Sequence, residues 1–403
     1  MKVPVTTLLV AFALALLGEP HRAAAEDERR YVKDLAAFFE EMDETYPFFD
    51  LKGIRKGWPA VKKRLGKKLR RCSSDEEFLD IVLEAISYLR DGHIGFVEMR
   101  GKYPETEPQY YPGIGFMPAA KNRVVVMSAA EKWAKVLKVG TVVTHIDGRQ
   151  ARAVLEKNSR RAWAEGGFFS SPQRARLFEY RIALRGKKGD KHKITYLDGK
   201  RKRTVVAISE IQAKGWPHTY NMPKDLVRHG RSCRYGKLPS GVGYIYLRRI
   251  DRNTEEGIAA AFSSDADTKA WILDLRGNGG GGYNRGLVEK IAAVGRPLAV
   301  LIDAGCISAG ETLARDCVRN ANARLFGSTT AGSSSAKRRW AFPSRIATLS
   351  VPTRSRSGLG RGIEYFGIQP HEKVEADPKE VERELNSCVL RAEEFLLEKS
   401  KRS

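Results

Sequence analysis

From about residue 240 to 330, short apolar runs alternate with helix-patterned stretches, and this alternation constrains the fold more than any other feature. Tyr244-Ile245-Tyr246-Leu247 reads as a strand and Ile258 to Phe262 as a helix. Ala270 to Leu275 (strand), Leu287 to Ala293 (helix) and Leu298 to Ile302 (strand) follow, then a helix from Ala309 to Arg319 and a strand over Arg324-Leu325-Phe326. Alternation of this kind predicts an α/β core with mainly parallel strands. In such sheets functional groups collect beyond the carboxyl ends of the strands. Two segments fall there: the glycine run Gly279-Gly280-Gly281-Gly282 and the turn at Ser308.

The preceding chain has a different texture. Tyr31, Val32, Leu35, Phe38, Phe39 and Met42 recur at helical spacing, and Tyr46-Pro47 should end that helix. Ser73-Ser74-Asp75-Glu76-Glu77 reads as a capped helix start, with Phe78, Ile81, Val82, Ala85 and Ile86 on its buried stripe. A helical domain over 26–104 is expected. From 105 to 210 short strands take over: Gly113-Ile114-Gly115-Phe116, Val124-Val125-Val126, Val142 to Ile146, and a hairpin turning at Asp198-Gly199-Lys200. Ala134 to Val139 suggests a short helix between them. This segment resembles a PDZ domain; the resemblance implies that Gly113, Ile114, Gly115 and Phe116 bind a peptide's terminal carboxylate. A generic β-rich insertion is the alternative. Residues 211–403 are then the α/β core, closed by a C-terminal helix.

Bulk properties bound the setting. Lys2, the uncharged apolar run Leu8 to Leu17 and the small residues Ala23-Ala24-Ala25 read as a signal peptide over 1–25, and so as export to the periplasm or beyond. The apolar run is too short for a comfortable membrane span. The five cysteines (72, 233, 306, 317 and 388) include no C-x-x-C pair, which argues against a structural zinc site or a disulfide-dense scaffold. The formal net charge of +23, densest over Lys62 to Arg71, favours an anionic partner. No nucleic-acid motif accompanies it, so a solvated basic face is the expectation.

Ser308, in Cys306-Ile307-Ser308-Ala309-Gly310-Glu311, stands between a strand and a helix. There a hydroxyl feels the positive end of the helix dipole beside free N–H groups that could hold an oxyanion. A serine in that place can equally be a simple helix cap. The loop Asp274-Leu275-Arg276-Gly277-Asn278-Gly279-Gly280-Gly281-Gly282 lacks the Lys-Ser/Thr of a phosphate-binding loop and misses the dinucleotide spacing. Its glycines allow close approach of backbone or substrate.

Taken in order, these pieces are similar to the carboxyl-terminal processing, or tail-specific, serine peptidases. The helical part, Asp91-Gly92-His93, the PDZ-like segment, Gly243-Tyr244-Ile245, the Leu-Asp-Leu-Arg-x-Asn-x-Gly-Gly run, Ser308-Ala309-Gly310-Glu311, Gly327-x-x-Thr330-x-Gly332 and Gly367-Ile368-x-Pro370 span nearly all of the mature chain. The resemblance implies that Ser308 is the nucleophile and that the N–H groups of Ala309 and Gly280 form the oxyanion hole. One branch of the family takes its base from a lysine directly after Thr-x-Gly. Here Ser333 stands at that place, and Lys337 lies farther on. The tricorn core-like branch uses a His of the Asp-Gly-His region and a late Glu, which fall on His93 and Glu364, and the chain resembles that branch more closely. Imidazole suits the role because its unperturbed pKa is about 6.5. Two departures stand out: Gly92 replaces a serine that supports the Glu, and His371 replaces the usual Asp. Glu311, one turn from Ser308, reads as a helix-start group or as one that supports the site from behind, not as the triad acid.

The expected function is an exported serine endopeptidase acting on proteins or peptides, near their C-termini, without metal or organic cofactor. Two other readings stay open: an inactive peptide-binding scaffold of the same fold, and a hydrolase of esters or of an acidic envelope polymer. Oligomeric state and natural substrate do not follow from the sequence.

Overall fold

The computed structural model describes residues 29–101, 107–213, 222–264, 267–283 and 285–401; the expected signal peptide lies outside them. The chain divides into two compact units, residues up to 106 with 336–354, and 107–335 with 355–403.

In the first unit, the helix at 29–45 ends before Pro47, as the proline requires. The helix Asp75–Leu89 starts at Ser74, whose Oγ accepts the Glu77 N–H at 3.2 Å, and three acidic residues in its first turn complement the dipole. It ends where Arg90 takes the left-handed conformation (φ 50°). Between them, Trp58–Leu69 buries Trp58, Val61, Leu65 and Leu69 and turns its lysines outward, so most of the basic run is indeed a solvated face. These helices share one core with the strands Gly95–Met99, Ala347–Ser355 and Ser335–Ala341, which form a three-stranded sheet in the order first, third, second along the chain. Residues 336–354 were expected within the α/β core. Phe342, Ile346, Leu349 and Val351 instead complete the apolar filling beneath the amino-terminal helices. Phe78 sits at the centre of this core, stacked on Tyr31 at 5.0 Å and edge-on to Phe342 at 5.7 Å.

The second unit carries a seven-stranded sheet. Gly243–Leu247, Trp271–Asp274, Leu298–Ile302, Arg324–Gly327 and Glu372–Lys373 run parallel, and Cys233–Lys237 and Val227–His229 add antiparallel strands at one edge. Two apolar clusters pack on opposite faces: Ile245, Leu273 and Val300 with the helices Thr254–Ser264, Arg285–Ala293 and Ala309–Ala321; Tyr244, Ile272, Ala299 and Leu301 with the helix Ser387–Lys401. Strands buried on both faces explain the unbroken apolar runs of the sequence. The α/β expectation holds.

Residues 114–208 form a second sheet of the same unit, with Ile114–Ala119, Arg123–Ala129, Val142–Ile146, Lys191–Asp198 and Arg201–Ile208 in antiparallel succession. Here the helix expected over 134–139 shrinks to a 3-10 turn, Glu131–Trp133, followed by turns. The fully buried Leu137, whose N–H reaches Trp133 O at 2.7 Å, anchors that short link. Two helices went unrecognised in the sequence, Ala151–Glu165 and Pro172–Arg181. Their buried faces are narrow (Ala151, Leu155 and Ser159 in the former), so they leave little apolar periodicity to read. All five cysteines are free thiols.

Phe78→Ala should destabilise by about 3–5 kcal/mol, the usual cost of emptying a large aromatic site. In urea unfolding, Val32→Ala at a half-exposed position should change stability by no more than about 0.5 kcal/mol and serves as the control.

Candidate active site

Two loops leave the carboxyl ends of neighbouring parallel strands and lock together. The first follows Trp271–Asp274. Asp274, fully buried, is held by the Arg276 guanidinium (Nε–Oδ1 2.9 Å) and by Tyr244 Oη (2.6 Å). That charge pairing keeps the arginine firmly protonated despite burial, while burial and the Asp274 charge raise the Tyr244 hydroxyl well above its ordinary pKa. Arg276 Nη1 also reaches Asn386 Oδ1 at 2.7 Å, tying the loop to the start of the C-terminal helix.

The second loop follows Leu298–Ile302. Asp303 Oδ1 accepts N–H groups from both loops, Gly277 at 2.9 Å and Gly305 at 2.8 Å. Asn278 is the clip. Its Nδ2 donates to Leu247 O (2.7 Å), its Oδ1 accepts from Gly280 N–H (2.9 Å), and its main-chain O accepts from Ile307 N–H (3.0 Å). The approach is too close for side chains. A Cβ on Gly305 would lie 2.7 Å from Gly277 Cα, and one on Gly310 2.8 Å from Asn278 Oδ1. Gly277 and Gly305 meet backbone to backbone, and Gly310 leaves room for the Asn278 side chain.

Ser308 sits at the apex with φ 54° and ψ −117°. That is not the ordinary left-handed well, and a non-glycine residue held there costs on the order of 1–3 kcal/mol. The strain is sustained by bonds from its own N–H to Ser333 O (2.8 Å) and Glu311 Oε2 (3.1 Å). Beneath it Glu311 is fully buried. Its carboxylate also accepts Thr330 Oγ1–H (2.6 Å), Gly332 N–H (2.8 Å) and Ser333 N–H (3.0 Å). Burial pushes its pKa up to about 7, against these hydrogen bonds, which lower it. Glu311 thus stands at the helix start and also braces the serine from below, the two roles the sequence left open.

Within this unit the structure brings together Ser308, Ala309, Gly280 and, through Ser334, Glu364. A Cβ on Gly280 would fall 2.8 Å from Ser308 Cβ and 3.3 Å from Ala309 N, so the expected donors flank the serine. In this conformation the Gly280 N–H points to Asn278 Oδ1. Glu364, fully buried, accepts Ser334 N–H at 3.0 Å, and Ser334 Oγ donates to Ser308 O at 3.4 Å. Ser333 is buried where a base lysine would stand in the other branch; Lys337 is exposed, on a strand of the first unit. His93 belongs to the first unit, half-buried, its N–H bonded to Asp91 Oδ1 at 2.8 Å.

Gly113, Ile114, Gly115 and Phe116, expected to receive a terminal carboxylate, are all buried. A Cβ on Gly113 would strike Ile211 Cδ1 at 2.5 Å, and one on Gly115 would lie 2.9 Å from Arg181 O. The adjoining helix reaches the site loops: Ser171 Oγ donates to Ala331 O (2.5 Å), Arg174 to Ala304 O (3.0 Å), and Arg181 pairs with Asp303 (3.4 Å). Asp303 escaped the sequence reading, although an acidic residue closing an apolar strand could have flagged it. A cavity of about 660 Å³ opens between this helix and the strand ends, lined by Phe116, Met117, Leu177, Tyr180, Arg276 and Thr329 among others.

Residues 288–374 match the model of peptidase family S41. Over 165 residues the chain is 28% identical to the carboxyl-terminal-processing protease of Picosynechococcus sp., an alignment covering 34% of this chain and 40% of that relative. Among solved structures, mature CPAF covers 93% of this chain and 97% of its own at 14% identity, with a TM-score of 0.58. A peptidase from Parabacteroides merdae described as putative covers 92% and 96% at 14% identity, with a TM-score of 0.52. The chain shares its fold with these solved structures, and residues 288–374 are similar to peptidase family S41. It is a relative of the carboxyl-terminal-processing serine peptidases.

Gly280→Ala, at φ 73° and with its Cβ against Ser308, should leave the chain folded but slow reaction with a fluorophosphonate by about 100-fold, the cost of a roughly 1 Å displacement. Labelling rate at equal folded fraction measures it. Glu311 gives a pH signature. A carboxyl whose pKa is raised in the folded state holds its proton more tightly there than in the unfolded chain, between its ordinary value of 4.5 and about 7. Stability should therefore fall as pH rises through that window. Urea unfolding at a series of pH values should show a flatter dependence in Glu311→Gln.

Proposed function

We propose that the chain is an exported serine endopeptidase that cleaves proteins or peptides, preferentially near their C-termini, through a Ser308 acyl-enzyme. The observation that carries this reading is the strained Ser308 backbone, braced by Glu311 and Ser333 and set against a glycine loop. A simple cap needs no such strain.

Ser308 Oγ attacks the scissile carbonyl carbon and His93 accepts its proton, with Glu364 fixing the imidazole. The proton passes to the leaving amine as the C–N bond breaks. Water, deprotonated by the same imidazole, then hydrolyses the ester. The Ala309 N–H, at the first position of a thirteen-residue helix, is one oxyanion donor. The Gly280 N–H is the second, once the carbonyl oxygen replaces Asn278 Oδ1; such donors contribute about 3–4 kcal/mol each. The exposed Lys337 and the serine at position 333 favour the His-based branch. Substrate C-termini are received by the loop 113–116, whose cover of Ile211 and the Arg181 segment opens to admit them. Export rests on the signal-like residues 1–25; among the described residues no helix is long and apolar enough to cross a membrane.

The Gly280–Asn278 bond also supports a second reading, a peptide-binding scaffold without turnover. A fluorophosphonate should label Ser308 in the folded wild type and leave Ser308→Ala unlabelled, and the wild type should hydrolyse an unfolded protein. Peptide binding that persists in both forms, with neither labelling nor turnover, would favour the scaffold.

A further inference from the structure

We infer that Lys52 and Tyr46 are positioning residues for His93, acting through Asp91; this rests on the reading of His93 as the base. The three residues form a buried polar cluster in the first unit. Lys52 is 5% exposed and Asp91 fully buried, and the side chains of the pair have no solvent contact.

Lys52 Nζ donates to Asp91 Oδ2 (3.0 Å), Arg90 O (2.8 Å) and Tyr46 Oη (3.0 Å). These use all three ammonium protons. Tyr46 Oη lies 2.9 Å from Asp91 Oδ2 and 3.0 Å from Leu89 O. One cation and one phenol thus grip three successive residues at the end of the helix Asp75–Leu89. The other Asp91 oxygen, Oδ1, accepts the main-chain N–H of His93 at 2.8 Å. The carboxylate is a bridge, with the anchor on one oxygen and the His93 backbone on the other.

The chemistry of burial gives this arrangement a purpose. A buried ion pair adds little net stability, because desolvation offsets its attraction, and well-packed apolar residues would serve stability as well or better. What it supplies is direction. Hydrogen bonds from a fixed donor hold a carboxylate in one orientation, whereas an apolar contact tolerates sliding. The turn that needs such holding contains Gly92, exposed and without a side chain to pack. Arg90, just before it, already takes the less favourable left-handed conformation. The aromatic setting keeps water away: Tyr46 meets Phe48 and Phe49 edge-on at 5.6 and 5.1 Å, and the ammonium lies 5.2 Å from the Phe48 ring centre.

The test compares wild type, Tyr46→Phe, Lys52→Met and His93→Ala in the full chain, with peptide hydrolysis and amide hydrogen exchange as readouts. Tyr46→Phe keeps the ring and its packing, so it guards against misfolding of Lys52→Met. We expect kcat to fall by about 10- to 100-fold in Tyr46→Phe, as for a displaced catalytic group, with KM nearly unchanged, and the His93 amide to exchange at least tenfold faster. A merely structural role would not split kcat from KM. A folded Tyr46→Phe with wild-type kcat and wild-type exchange at His93 overturns the inference. His93→Ala with undiminished turnover instead overturns the reading of His93 as base. The exchange readout decides the positioning claim even where turnover is absent: unchanged protection at His93 sinks it.

Discussion

The interlock of two strand-end loops is the constraint on which the rest of the second unit depends. Gly277 against Gly305, Asn278 against Ile307 and Gly310, and Gly280 against Ser308 are all contacts at or near backbone distance. They are available only because adjacent parallel strands end at the same level. Parallel pairing places both carboxyl ends on one side, and the chain must then turn both loops over the same edge. Asp303 and Asn278 convert that proximity into a fixed geometry by giving the loops common hydrogen-bond partners.

The energetics are unevenly distributed. Apolar burial on both faces of the sheet supplies the stability, whereas the polar interior of the site imposes position. Glu311 shows the difference most plainly. Enclosing a carboxylate is unfavourable, and four donors are gathered to make it tolerable. Those donors come from Ser308, Thr330, Gly332 and Ser333, so the arrangement that satisfies the carboxylate is the same one that holds the serine in its strained conformation. The Lys52–Asp91 pair follows the same logic around His93. In both places a buried ionic group is retained where orientation matters more than stability.

The adjoining antiparallel sheet is coupled to this centre by the residues between its two unrecognised helices and along the second of them. Ser171, Arg174 and Arg181 each end on a main-chain or carboxylate group of the site loops. The same helix walls the 660 Å³ cavity, whose lining mixes apolar side chains with charged ones.

Much of this was legible in the sequence, because backbone constraints leave residue-type signatures. Strands buried on both faces appear as apolar runs, and close backbone approach demands glycine, so the α/β core and the Ser308 and Gly280 loops could be read directly. The Ser74 cap and the Pro47 stop were equally local. Other features depended on contacts between distant segments. Residues 336–354 carry strand-like apolar positions, but only packing decided that Phe342 and Leu349 fill the amino-terminal core. The helices Ala151–Glu165 and Pro172–Arg181 were invisible because their buried faces are narrow. Which distant groups Asp303, Glu311 and Lys52 meet could not be read, since a charged residue does not itself show what the fold will bring against it. Local chemistry fixed the motifs; tertiary structure alone decided which buried charges hold them, because desolvation and hydrogen bonding are properties of the enclosing fold.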